Sequence, residues 1–210
     1  MKLTKYQHAC FTVEHEGKLL VVDPGELTKD LGSPENVAAV VVTHSHSDHF
    51  DPNALGALIA HNPDAKIYAH ESITGQLGDA LPNQSVVSGD TVTAGPFQLK
   101  FDGGEHAVIH PALPVIPNLG VHINGRIYYP GDSLSQPASN VDILALPAAA
   151  PWCKTAEVID YVTAVGPKLA FPTHDAILSD SGKAIIDMML TTFVQKTGGE
   201  YRRLQEPLEI

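Results

Sequence analysis

Cysteine is nearly missing from this chain. Cys10 and Cys153 are the only two among 210 residues. Two thiols do not build a disulfide framework, and neither belongs to a CxxC pair that would grip zinc through sulfur. Basic residues are also scarce, with 13 Lys and Arg against 24 Asp and Glu and a formal net charge of −11. Nucleic-acid backbones are held by clustered Lys and Arg, and no basic run occurs here, so nucleic acid is not an expected partner. The acidic balance reads as a self-repelling, soluble surface. No apolar run approaches the ~20 residues that cross a membrane, so no membrane association is expected. The opening "MKLTKYQHACF" has no apolar segment behind its lysines and does not read as a secretory signal; a cytoplasmic location is the expectation. Repeats, low-complexity tracts and linkers are lacking too. What remains is 43% hydrophobic and 18% charged, the balance of one globular domain over residues 1–210.

Strand and helix signals alternate along the chain. "CFTVEHEGKLLVVDPG" reads as a hairpin turning at Glu16-Gly17-Lys18 and closing on a Pro-Gly turn. "VAAVVVTH" is a continuous apolar run, as in a buried strand. In "DPNALGALIAHN", Asp51 can cap a helix that Pro52 opens. "KIYAH", "TVTAGPFQLKFDGGEH", "LGVHINGRIYYPGDS", "VDILALPA" and "KLAFPTH" read as further strands. "TAEVIDYVTAVG" reads as a helix ending at Gly166, and "SGKAIIDMMLTTFVQKTGG" as a last long helix capped by Ser181 and stopped at Gly198. The pattern is that of an α/β domain rich in antiparallel sheet.

Metal-type ligands gather where strands run out. Three histidines and an aspartate crowd into His44-Ser45-His46-Ser47-Asp48-His49, directly behind the valines of "VVVT". "LKFDGGE" ends in His106, "IYYPG" in Asp132 and "LAFPT" in His174. A single histidine at a strand end usually meets solvent; His15, His61, His70 and His122 lack company and read as surface or strand residues. The six-residue cluster does not, since histidine is only 11 of 210 residues. Strand ends of an α/β protein collect at one edge, where ligands bind. Imidazole and carboxylate without thiolate suit Zn²⁺, Mn²⁺ or Fe. Seven ligands exceed one tetrahedral ion, whereas two divalent ions ~3.5–4 Å apart would use them all.

"HSHSDH" fits the HxHxDH motif of the metallo-β-lactamase superfamily, and His106, Asp132 and His174 follow in that superfamily's order. With "HACF…LLVVDPG", "YYPGDS" and "PTHD", the chain resembles the branch of small metal-dependent hydrolases that contains ascorbate-phosphate lactonase-like proteins. The resemblance implies an αββα four-layer sandwich of two mixed β-sheets. It implies that His44, His46 and His106 hold one ion, that Asp48, His49 and His174 hold a second, and that Asp132 bridges them. The ions would be Zn²⁺ in the first instance, with Mn²⁺ or Fe as alternatives. A metal-bound, bridging hydroxide would attack a small ester, lactone or phosphodiester, with Asp48 and Asp132 as the catalytic carboxylates and Asp48 orienting the hydroxide or moving a proton. Asp23 would accept a ligand histidine's N–H, and His8 would lie near the site.

Substrate contacts are expected from His8, His110, Asn118, Trp152 and Lys154. Lys154 and Arg126 are the basic candidates for a phosphate between His106 and His174, and they form no cluster, so a phosphorylated sugar is in doubt as substrate. "AVIHPALPVIPN", residues 107–118, reads either as a flap over the site or as an ordinary connection packed on the sheet edge. Trp152 reads either as pocket lining or as packing under a helix start. "GDSL" at 131–134 matches the block of a serine esterase family, but it is mid-chain, and Phe171 stands where that family's DxxH aspartate would precede His174. The other alternative is a metal-binding protein of the same fold with a redox or sensing role. Oligomeric state is not legible.

Overall fold

Each half of the chain lays down an antiparallel set of strands and then a parallel one. The structure, a computed structural model, describes residues 1–210. The first sheet is built from β1 (Lys2–Lys5), β2 (Phe11–His15), β3 (Lys18–Val22), β4 (Val37–Val42), β5 (Lys66–Ala69), β6 (Asn83–Ser85) and the C-terminal β14 (Leu208–Glu209), in the order β14-β1-β2-β3-β4-β5-β6. The second contains β7 (Thr91–Ala94), β8 (Phe97–Glu105), β9 (Pro117–Ile123), β10 (Ile127–Tyr129), β11 (Ile143–Pro147), β12 (Leu169–Thr173) and β13 (Glu200–Tyr201), in the order β13-β12-β11-β10-β9-β8-β7. Strands β3 to β6 run parallel, as do β10 to β13, while the remaining pairs are antiparallel. The helices are α1 (Pro52–His61), α2 (Glu71–Leu77), α3 (Thr155–Val165) and α4 (Asp180–Lys196).

The continuous apolar strands explain the layering. Side chains alternate faces along a strand, so a strand apolar at every position needs cover on both sides. In β4, Ala39 and Val41 enter a cluster of 22 buried residues together with Phe97, Leu99, Phe101 and Phe171 of the second sheet. Val40 and Val42 point the other way, onto Leu55, Leu58 and Ile59 of α1 and Ile73 of α2. The second sheet repeats the scheme. Ile143, Ala145 and Phe171 face the first sheet, while Leu144, Leu146 and Ala170 pack on Val158 and Val162 of α3 and Leu190 and Val194 of α4. Helix, sheet, sheet, helix is the four-layer sandwich that the resemblance implied. No helix is long and apolar enough to cross a membrane.

Local signals hold where the chain marks its own boundaries. Asp51 caps α1 by accepting from the Asn53 N–H, with Pro52 opening the helix. Gly166 ends α3 in the left-handed conformation. Two readings need correction. The cap of α4 is Ser179, which accepts from the Gly182 N–H, and the helix begins at Asp180 before the expected Ser181. Helix α2, capped by the His70 side chain, was not legible: at seven residues with Thr and Gly inside, it relies on burying Ile73 and Leu77.

The topology brings the ligand-bearing strand ends together. β8 is antiparallel to β9 and β9 to β10, so β8 points the same way as β10 and its parallel neighbours β11 and β12. Their C-terminal ends share one edge, against which β3 and β4 of the first sheet also finish. Gly25, just beyond β3, makes the closest approach: a Cβ there would lie 2.1 Å from the carbonyl carbon of Asp48. Only glycine lets the Asp23-Pro24-Gly25 turn lie against the histidine motif.

Candidate metal centre

All seven residues expected as ligands converge. The coordinating atoms of His44, His46 and His106 lie within 4.8 Å of one another, as do those of Asp48, His49 and His174 with His8, and those of His44, His49 and Asp132. Asp132 stands between the groups. Its Oδ1 is 3.2 Å from His49 Nε2, and its Oδ2 is 3.0 Å from His174 Nε2 and 3.4 Å from His106 Nε2. Every member but His46 and Asp48 is buried. Asp48, with its side chain 27% exposed, opens the cluster to solvent.

The groups behind the rings decide which nitrogen faces the centre. His106 Nδ1 donates to the Ala107 carbonyl and His174 Nδ1 to the Ala149 carbonyl, and a carbonyl can only accept. His49 Nδ1 donates to Asp23 Oδ2 at 2.6 Å. The Thr43 hydroxyl gives its proton to Asp23 Oδ2 at 2.7 Å, so it accepts from His44 Nδ1 at 3.1 Å. Four rings therefore turn Nε2 toward the centre, in the arrangement by which outer carboxylates and carbonyls orient metal-binding histidines. His46 alone turns Nδ1 inward, 3.1 Å from His44 Nε2. Asp23 is fully buried and serves two ligands, His49 directly and His44 through Thr43. Thr43 was missed in the sequence; its signal was the hydroxyl adjoining His44 where an apolar strand ends.

The cluster fits a metal by its own unmet needs. His49 Nε2, His106 Nε2 and Asp132 Oδ1 are buried polar atoms with no hydrogen-bond partner. Such atoms are costly in a protein interior, and all three belong to the His/Asp cluster. Bound cations would satisfy them, and a set of imidazoles and carboxylates suits a first-row transition ion or zinc.

Burial and neighbouring charges set the protonation. Burial works to raise the Asp132 carboxyl, but the imidazoles of His49, His106 and His174 close around it hold it well below the usual carboxylate range. Asp48 is likewise pushed up by burial and held down more strongly by hydrogen bonds from His174 and His8. Burial, with the repulsion of His49, keeps His44 neutral, and burial with His106 lowers His46. His174 goes the other way: burial lowers it, yet its bonds to Asp132 and Asp48 bring it up to about 9. His49 is raised by Asp132 and Asp23 against its burial. Without a cation, His49 and His174 are therefore protonated at pH 7, and an ion held at their Nε2 atoms would take the place of those protons. Metal uptake at pH 7 should release protons, and affinity should climb as pH rises toward about 9. Titration calorimetry in buffers of different ionisation enthalpy should return different apparent enthalpies; one common value would refute this protonation pattern.

The residues expected at the substrate are placed unevenly. Trp152 is at the centre, its Nε1 donating to Asp132 Oδ2 at 2.8 Å. His8 is fully buried: its Nδ1 accepts from the Ala176 N–H, so its Nε2 donates to Asp48 Oδ2 at 2.8 Å, behind the ligands and away from solvent. Asn118 is also fully buried, with Nδ2 donating to the Pro130 carbonyl and Oδ1 accepting from the Asp132 N–H, so it holds the turn that presents Asp132. That amide fills the space at Gly131, where a Cβ would lie 2.3 Å from Asn118 Oδ1. The Lys154 side chain is 84% exposed and extends to Glu157 at the start of α3. His110 sits on the exposed loop, accepting from the Ala112 N–H. His8 and Asn118 are turned away from a substrate, because polar type and sequence proximity do not reveal which way a side chain points.

A buried His/Asp cluster at the shared edge of an αββα sandwich defines this as a metal-centre protein of that architecture. A family model described as the Beta-lactamase superfamily domain matches residues 2–174, and the chain belongs to the metallo-β-lactamase superfamily. It is 38% identical over 196 residues to Protein Rv0786c of Mycobacterium tuberculosis, spanning 91% of this chain and 92% of that protein. A protein of Aeropyrum pernix named UPF0173 metal-dependent hydrolase is 31% identical over 154 residues, which is 63% of this chain and 61% of that one. Among solved structures, Igni18, described as a novel metallo hydrolase from Ignicoccus hospitalis, superposes with a TM-score of 0.73 at 18% identity, covering 100% of this chain and 98% of that chain.

Proposed function

We propose that this protein is a metal-dependent hydrolase acting on a small ester, lactone or phosphodiester. In this reading His44, His46 and His106 hold one divalent ion, and Asp48, His49 and His174 hold a second. Asp132 lies between them, and Zn²⁺ is the first candidate for both. The observation that carries the reading is the set of three buried atoms without a hydrogen-bond partner, His49 Nε2, His106 Nε2 and Asp132 Oδ1, inside the His/Asp cluster. Relatives named as metal-dependent hydrolases agree with it. Bound ions would supply an activated water at neutral pH and polarise the bond to be cleaved. Asp48 is the carboxylate of the cluster that reaches solvent; with Oδ2 held by His8 and His174, its Oδ1 is placed to take up and return a proton.

The surroundings favour an uncharged substrate over a phosphorylated one. Arg126 is paired with Asp142 and Lys154 with Glu157, so neither basic candidate waits for a phosphate. The loop between His106 and Pro117 leaves both its ends at the centre, through Ala107 N–H to the Asp132 carbonyl and His106 N–H to the Ile116 carbonyl. It exposes Val108, Ile109, Leu113 and Val115. Four aliphatic side chains rising from a metal centre suit a substrate with an apolar part. Metal-loaded protein offered uncharged esters, lactones, phosphodiesters and nucleic acid should turn over the first two classes fastest. Replacing residues 108–115 by a short Gly-Ser link should raise KM with metal content unchanged. Robust cleavage of RNA or DNA with little turnover of small esters would overturn the assignment.

A further inference from the structure

The hydrogen bond between the one tryptophan of the chain and Asp132 has a role that pocket lining does not explain. We propose that Trp152 is the positioning residue of the Asp132 carboxylate, a role that rests on reading the cluster as a metal centre. Its Nε1–H donates to Oδ2 at 2.8 Å, while Oδ1 faces His49 Nε2 at 3.2 Å. The indole thus fixes which carboxylate oxygen turns toward His49 and how the carboxyl plane lies between His49, His106 and His174. The ring is wedged edge-on between two of those histidines, with centroids 5.9 Å from His106 and 6.4 Å from His174.

The chemistry of indole fits this task. Its N–H is donor-only and carries no charge. It can fix an ionised carboxylate without titrating, without competing for the cation as a histidine would, and without neutralising the negative charge as a lysine would. The backbone around it is held. Cys153 N–H donates to the Ala150 carbonyl, and Lys154 N–H donates to Glu157 Oε2 at the first turn of α3. The same loop supplies the Ala149 carbonyl that orients His174. Residues 149–152, which connect β11 to α3, therefore set the geometry of two ligands from outside the ligand set. Partners of this kind are commonly worth 10–100-fold in metal affinity.

Trp152→Phe keeps an aromatic ring and removes the N–H. Zn²⁺ affinity, measured by competition with a chromophoric chelator, should fall about 10–100-fold for at least one equivalent, with the unfolding midpoint of the metal-free protein unchanged. Unchanged affinity, or a change in KM alone, would show that the residue only lines the pocket and would overturn the proposal. An independent measurement needs no change at Trp152. A lone tryptophan gives one indole N–H resonance in a ¹⁵N-labelled sample. In metal-free protein this resonance should lie at the position of a charge-assisted bond and return toward the solvent-exposed value in Asp132→Asn. A resonance identical in wild type and Asp132→Asn would overturn the proposal even if the Phe variant failed to fold. If the wild type took up no Zn²⁺ at all, the metal-centre reading would fall and this role with it; if it took up Zn²⁺ and neither measurement moved, only the role of Trp152 would fall.

Discussion

Protein purified without chelators should carry up to two transition-metal ions per chain, and replacing His46 and His49 with Ala should remove them. The two substitutions differ in their side effects. His46 is half-buried at the edge of the cluster and its outward face meets no carboxylate, so His46→Ala should empty its site and leave the metal-free protein as stable as wild type. His49 is fully buried between Asp23 and Asp132. Removing it takes the shared imidazole from two buried carboxylates, and breaking a buried pair typically costs about 3–5 kcal/mol. His49→Ala should therefore lose both metal and stability. In the wild type, ions at a hundred times their dissociation constant would add about 2.7 kcal/mol per site. Chelation should lower the unfolding midpoint by roughly 5–11 °C per site for a chain of this length. Elemental analysis and thermal unfolding with and without chelator check both statements. A wild type that holds no metal and takes none up on reconstitution would defeat them.

Asp132 and Ser133 are neighbours in "GDSL", yet their substitution should have opposite consequences. Asp132 contacts His49, His106 and His174 from the middle of the cluster. Asp132→Asn removes the charge that holds those histidines together and should lower kcat/KM by more than ~100-fold, beyond the 10–100-fold typical of groups one layer out. Ser133 faces elsewhere. Its hydroxyl donates to the Pro130 carbonyl and accepts from the Ser135 hydroxyl, it is almost fully buried, and no histidine is its partner. Ser133→Ala should keep most activity. A serine mechanism requires a base within hydrogen-bond reach of the nucleophile, which this serine lacks. Steady-state kinetics of the two variants discriminate, and a covalent organophosphonate adduct on Ser133 would reverse the conclusion.

Much of the architecture was readable because the relevant signals are local. β4 is apolar at every position, and that alone implies cover on two faces. Asp51-Pro52 and Gly166 carry their capping chemistry in their own side chains or lack of one. The cap of α4 was misassigned by two residues because Ser179 and Ser181 offer the same hydroxyl, and only backbone geometry chooses between them. Short elements such as α2, β6 and β13 carry too few residues to show a period, and they exist because a neighbouring strand or core cluster pays for their ordering.

The centre divides along the same line. The types, order and strand-end placement of the clustered side chains were all written in the chain, since the motif from His44 to His49 is continuous and His106, Asp132 and His174 each follow a recognisable strand. Tertiary structure alone chose the ring nitrogens, because the acceptors behind them come from distant segments: Asp23 for His49, Ala149 for His174. It turned His8 and Asn118 inward and Lys154 outward, and brought the indole of Trp152 onto Asp132 across 20 residues of sequence. A side chain's type travels with the sequence, but its direction is set by whichever partner the folded sheets bring within about 3 Å of it.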